Sequence, residues 1–219
     1  MRFLSPLEAR VLGVLVEKQA TVPDTYPLSL NTLLTGCNQK TARWPVIEAT
    51  DAEVLTAIDG LKSLSLVFEG SGSRVVKFEH NFGRALQLPS QAVALLAVLM
   101  LRGPQTAAEL RLNCERLHRF ADISSVEGFL EELAAKDPSR AVKLARSPGA
   151  REARWAQLLC GEVDQPRWQE PATGSGAEAA YSVSSGEIAA LKAEQARLAA
   201  ELAVVKALVL RIARDLGIE

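Results

Sequence analysis

The sequence predicts a mainly α protein with small β-hairpins, arranged as tandem winged helix-turn-helix domains followed by a C-terminal coiled-coil helix. Three observations carry this expectation. One order of elements occurs twice, from Leu4 to Glu79 and again from Leu88 to Leu159: a helical run, a turn, a shorter helical run, a third helix, and two β-rich stretches around a glycine-containing turn. Helix-start signals recur at matching places in the two copies. A seven-residue apolar repeat then fills the end of the chain. Three helices and a hairpin in about 75 residues make a helix-turn-helix with a β-wing. The expected boundaries are 1–87 and 88–160 for the two winged-helix domains, 161–183 for a linker and 184–219 for the coiled-coil helix.

The first element opens at Ser5-Pro6-Leu7-Glu8, a capping box with proline at the first helical position. Leu7, Val11, Val14 and Leu15 share one face and carry the helix to about Gln19. Thr21–Thr25 breaks it, and a second helix is expected over Leu28–Leu34, ended by Gly36. Thr50-Asp51-Ala52-Glu53 caps a third, which buries Val54, Ile58 and Leu61. Leu66–Phe68 and Arg74–Phe78 then flank Gly70-Ser71-Gly72-Ser73 as a wing.

The second copy starts with a helix over Ala92–Leu101, closed by Gly103-Pro104. Thr106–Glu109 and Ser124–Glu127 read as capping boxes for its second and third helices, the latter burying Val126, Phe129, Leu130 and Leu133. Ala141–Ala145 and Ala153–Leu159 flank the turn Ser147-Pro148-Gly149-Ala150. Pro166, Pro171 and Gly174-Ser175-Gly176 mark the linker. Beyond it, Ile188, Gln195, Leu202, Val209 and Leu216 alternate with Leu191, Leu198, Val205 and Ile212 as a and d positions. Glu187 faces Lys192 and Glu201 faces Lys206 across the g–e positions of a parallel pair, so a homodimer through 184–219 is expected. An amphipathic helix folded back on its own domain is the alternative.

Composition narrows the function classes. Aromatics are only 5% of a chain that is 48% apolar, so the cores must be aliphatic. No apolar run reaches the roughly 20 residues of a membrane helix, and the N-terminus lacks a signal-peptide core. Three widely spaced cysteines suit reduced thiols in a cytoplasmic protein rather than disulfides or a zinc site. Two histidines in different repeats, with no nucleophile elbow or phosphate loop, provide no basis for catalysis, a metal or a cofactor.

The segment least explained by a plain helix-turn-helix is Asn38-Gln39-Lys40-Thr41-Ala42-Arg43-Trp44-Pro45. About thirteen residues separate the second and third helices, where three or four suffice. Asn38, Gln39, Lys40 and Arg43 are candidate binding residues for a nucleic acid or partner. The alternative is a buried polar turn in which the amides cap helix ends.

The strings Ser5–Leu12, Glu17-Lys18-Gln19, Thr25–Asn31 and Cys37–Thr41 closely resemble the bacterial YceH-like family of uncharacterised tandem winged-helix proteins. The resemblance is dense in the first repeat, continues through Val75–His80 and is looser beyond. One departure is Trp44, where the family pattern would place an acid before the proline. The resemblance implies a tandem winged-helix fold and a cytoplasmic bacterial setting, and it carries no catalytic residues.

Two functions follow from this plan. Transcription-regulator-like DNA binding rests on the fold, the expected dimer and a basic second wing: Arg140, Lys143, Arg146, Arg151 and Arg154, with Arg111, Arg116 and Arg119 upstream. Against it, residues 1–87 carry nine basic and nine acidic groups, and residues 88–160 carry ten and eight. Both third helices are acidic, a poor match to the phosphate rows flanking a groove. The rival is a dimeric protein–protein scaffold without direct DNA binding.

Overall fold

A computed structural model describes residues 2–70, 75–146 and 152–163, together with Lys206. Residues 71–73 of the first expected wing turn, the second expected turn at 147–150, nearly all of the expected linker and all of the expected coiled-coil helix but Lys206 lie outside the described residues. The chain divides into a unit of Met1–Gln169 and a second of Glu170–Glu219, and the first unit holds both copies of the repeated plan.

Helix α1 spans Pro6–Thr21 and begins at the expected box: the Glu8 amide donates to Ser5 Oγ at 3.1 Å, and the Ser5 amide to Glu8 Oε2 at 2.7 Å. Leu28–Ser29 forms a short strand, β1, and α2 follows over Leu30–Cys37 with Ser29 as its cap. The second helix therefore starts later than its apolar pattern suggested, because Leu28 is drawn into a sheet. Helix α3 spans Asp51–Ser63 behind the Thr50/Glu53 box. Strands β2 (Val67–Gly70) and β3 (Lys77–His80) pair antiparallel from Val67↔His80 to Gly70↔Lys77, and β1 joins the other edge of β3 through Leu28↔Phe78. The expected strand 74–78 is thus displaced toward the C-terminus, and Val75 and Val76 stand exposed ahead of it.

A one-turn helix, α4 (Phe82–Ala85), leads into the second half. There α5 (Ser90–Arg102), α6 (Ala107–Asn113) and α7 (Ile123–Ala135) precede β4 (Ala141–Lys143) and β5 (Trp155–Gln157). The box before α6 is Thr106/Glu109, as expected. That before α7 is not Ser124/Glu127 but Asp122/Ser125, two residues earlier, with Ser125 N–H donating to Asp122 Oδ1 at 2.7 Å. The halves share a further detail: the segment before the second helix pairs with the last strand, as Gln105 bridges to Trp155 in the place of Leu28↔Phe78.

Both halves bury their apolar faces in one cluster. Helix α5, apolar around most of its circumference, is buried from Ala92 to Leu101, as a helix with no polar face must be. It packs against α1, where Gly13 permits the approach: a Cβ there would stand 2.9 Å from Leu101 Cγ. The Trp44 amide donates to Leu101 O, and the Leu4 amide to Leu159 O, each at 2.8 Å, tying the first half to the second at two further points. Among the described residues no helix is long and apolar enough to cross a membrane.

Candidate functional site

The loop between α2 and α3 is held from beneath. Asn38 ends α2 through its amide to Leu34 O. Its side chain closes the loop, with Nδ2 donating to Ala49 O and Oδ1 accepting from the Ala49 amide, both at 2.8 Å. Gln39 Nε2 donates to Thr41 O at 3.0 Å. Arg43, a candidate binding residue in the sequence, lies inside, with no side-chain surface left accessible. Its guanidinium forks onto Glu17 of α1 at 2.5 and 3.2 Å, and Nε donates to Gly36 O at 3.1 Å. Contact with a phosphate would require breaking that pair. Lys40 remains exposed at the rim.

Arg10, not singled out in the sequence, braces the same loop. It donates to Cys37 O at 2.9 Å and Pro45 O at 2.5 Å. Cys37 is the last residue of α2, where carbonyls carry the negative end of the helix dipole. Burial, then the neighbouring Arg43 charge, lowers the Arg10 pKa from its ordinary value. Such a site suits arginine, which stays protonated in any protein environment.

In the second half, two of the described candidate cations already have carboxylate neighbours within the chain. Arg154 is bound to Glu109 at 2.9 Å and to Pro104 O at 3.1 Å. Lys143 lies 4.0 Å from Glu127 and 5.4 Å above the Trp155 ring. Arg140 is half-buried, Arg146 is exposed, and Arg151 lies outside the described residues. Arg116 and Arg119 are exposed on the connection between α6 and α7, while Arg111 donates to Ala121 O.

Two other groups have no reactive setting. Burial pushes the thiols of Cys37 and Cys114 up to about 12, so both stay protonated. His80 accepts from the Phe82 amide at Nδ1 and meets Gln19 Oε1 at 2.8 Å through Nε2, and burial lowers its pKa to about 4. Among the described residues no three His, Cys, Asp or Glu side chains converge as a metal site.

Sequence reasoning missed a groove of about 640 Å³ between α3 and the β2–β3 hairpin. Leu55 lines the helix side and Val75 and Val76 the hairpin side. Asp51, Asp59 and Glu69 supply carboxylates, and Lys62 bridges two of them, 2.5 Å from Glu69 and 3.9 Å from Asp59. The available signal was two apolar pairs, Val54-Leu55 and Val75-Val76. Neighbours in a helix differ in direction, so with Val54 buried Leu55 is left outside, whereas Val75 and Val76 precede β3 and are both exposed.

These features define a mainly α protein of two like halves, each with three principal helices and a hairpin, joined in one core. The chain belongs to the family described as protein of unknown function, DUF480, whose model matches residues 4–150. It is 66% identical over 219 residues to a UPF0502 protein of Burkholderia multivorans, covering 100% of this chain and 92% of that relative. A UPF0502 protein of Leptothrix cholodnii is 63% identical over 217 residues, covering 99% and 97%.

Proposed function

We propose that the chain is a tandem winged-helix protein that docks on other proteins through its third helices and hairpins, and that residues 184–219 pair two copies into a dimer. The winged-helix assignment is supported by the repeated order of elements and by the pairing of the segment before the second helix with the last strand in both halves. The observation that carries the interaction reading is the surface of α3. Its solvent face offers Asp51, Glu53, Leu55 and Asp59, and its lysine is held by Glu69. A recognition helix in a DNA groove lies between rows of phosphates, which such a face repels. Lys143 and Arg154 likewise have carboxylate neighbours within the chain.

DNA binding is the second reading, favoured by exposed Arg116, Arg119 and Arg146. Fluorescence anisotropy with a labelled duplex separates the two. At about 50 mM salt we expect no saturable binding, whereas saturable binding that weakens steeply toward about 200 mM would restore the DNA reading. The dimer rests on the heptad seam alone; light scattering should give twice the chain mass, reduced to the monomer when the chain stops before Ser184.

A further inference from the structure

We propose that the groove between α3 and the β2–β3 hairpin receives a basic, apolar-faced segment of a partner protein. The proposal rests on the protein-interaction reading above and specifies the chemistry of the partner.

The groove is built from spacing that only a helix provides. Asp51, Leu55, Ile58, Asp59 and Lys62 fall at i, i+4, i+7, i+8 and i+11 of α3 and line one side. Ile58 and Phe78, almost wholly buried, present the edge of the core at its base. Leu55 is 41% exposed, Val75 57% and Val76 49%, so three branched apolar side chains are about half exposed around one depression. A contiguous apolar surface rimmed by polar groups marks an interaction site, unlike the same residues scattered singly.

The rim decides the partner. Three carboxylates and one ammonium line the groove, leaving a net charge of −2. The chain's own Lys62 ammonium already sits on the Glu69 and Asp59 carboxylates, showing the charge this rim accepts. A phosphate backbone or an acidic peptide meets repulsion here. A partner guanidinium can fork onto a carboxylate that Lys62 contacts only as a point charge. An amphipathic segment supplies both requirements, with Leu, Ile or Val on one face for the apolar wall and Arg at its margins for the rim, as in helix-in-groove recognition.

The test uses the full-length protein and a fluorescein-labelled synthetic peptide with leucines at helical spacing and arginines flanking them. A second peptide has every arginine replaced by glutamate, and a labelled DNA duplex is titrated alongside. The arginine peptide should bind saturably and the glutamate peptide should not. Leu55→Arg on the helix side and Val76→Arg on the hairpin side alter exposed positions, and each should weaken binding by about tenfold or more. Circular-dichroism melts of both variants check that the fold is retained. Failure of the arginine peptide to bind at about 100 µM, equal binding of the glutamate peptide, or wild-type affinity in both folded variants would each overturn the groove. Saturable duplex binding would instead overturn the underlying protein-interaction reading. Silence from both peptide and duplex removes the groove alone.

Discussion

Arg43 and Arg10 both bond to one loop, and their buried positions make the connection between α2 and α3 a structural part of the first half. Arg43 spans 26 residues of sequence to reach Glu17, and its fork also draws in Gly36 O. Removing one member of a buried ion pair leaves the other charge without its partner, at a cost of about 3–5 kcal/mol. We therefore expect Arg43→Ala to lower unfolding free energy by about 3 kcal/mol, measured by urea titration. Arg43→Lys should recover only part of the loss, because an ammonium cannot match the fork on Glu17 while donating to Gly36 O. A variant as stable as the parent would return Arg43 to the binding role for which its sequence context made it a candidate. That context carried part of the answer. A basic residue in an overlong polar loop is visible in sequence, whereas the carboxylate it meets lies on another helix and follows no local spacing. Asn38 was only partly accessible to sequence reasoning: it ends α2 through its backbone N–H to Leu34 O, while its side chain bonds Ala49 across the loop.

Two helical glycines have opposite meanings at the scale of elements. Gly13 lies inside α1 where α5 crosses, and a Cβ there meets Leu101 Cγ at 2.9 Å and Ala97 O at 3.4 Å. Gly128 lies in α7 with nothing within 4 Å of a Cβ. Gly13→Ala should thus destabilise by about 1–3 kcal/mol through overpacking. Gly128→Ala should stabilise by roughly 0.5–1 kcal/mol, because alanine loses less backbone entropy in a helix. Paired chemical denaturation curves check both signs; stabilisation by Gly13→Ala would contradict the close α1–α5 approach. Helix starts were legible from local chemistry where Ser5, Thr50 and Thr106 precede Glu by three residues, since both hydrogen bonds of the box are made within four residues. The same rule misplaced the start of α7. Ser124-Ser125-Val126-Glu127 fits the pattern, yet Asp122 stands two residues earlier and takes the Ser125 amide, leaving Ser124 inside the helix. Strand β1 and helix α4 escaped because two and four residues are too few to show a period, and pairing with β3 is a long-range event.

At the scale of the whole molecule, the two halves repeat a plan but do not divide the core between them. Helix α5 is buried along ten consecutive residues, Ala92–Leu101, a length that one small half leaves uncovered without α1 against it. Trp44 to Leu101 and Leu4 to Leu159 add backbone hydrogen bonds across the same junction. Removing the second half would expose the α5-facing side of α1 to water and leave the α2–α3 loop without its anchor on Leu101 O. Each large apolar side chain so exposed forfeits about 1.5–3 kcal/mol of burial, against a total stability of only about 5–15 kcal/mol for a typical domain. We therefore expect residues 1–163 to unfold in one cooperative transition, with coincident far-ultraviolet circular dichroism and tryptophan fluorescence curves. Trp44 reports from the first half and Trp155 from the second, so a fluorescence change at one denaturant concentration samples both sides of the junction. A fragment of residues 1–87 should lack a cooperative melt and aggregate or bind a hydrophobic dye. Two separated transitions in the longer chain, or a fragment 1–87 that melts cooperatively with native helix content, would show that each half folds alone and that the α1–α5 contact is a docking of finished domains.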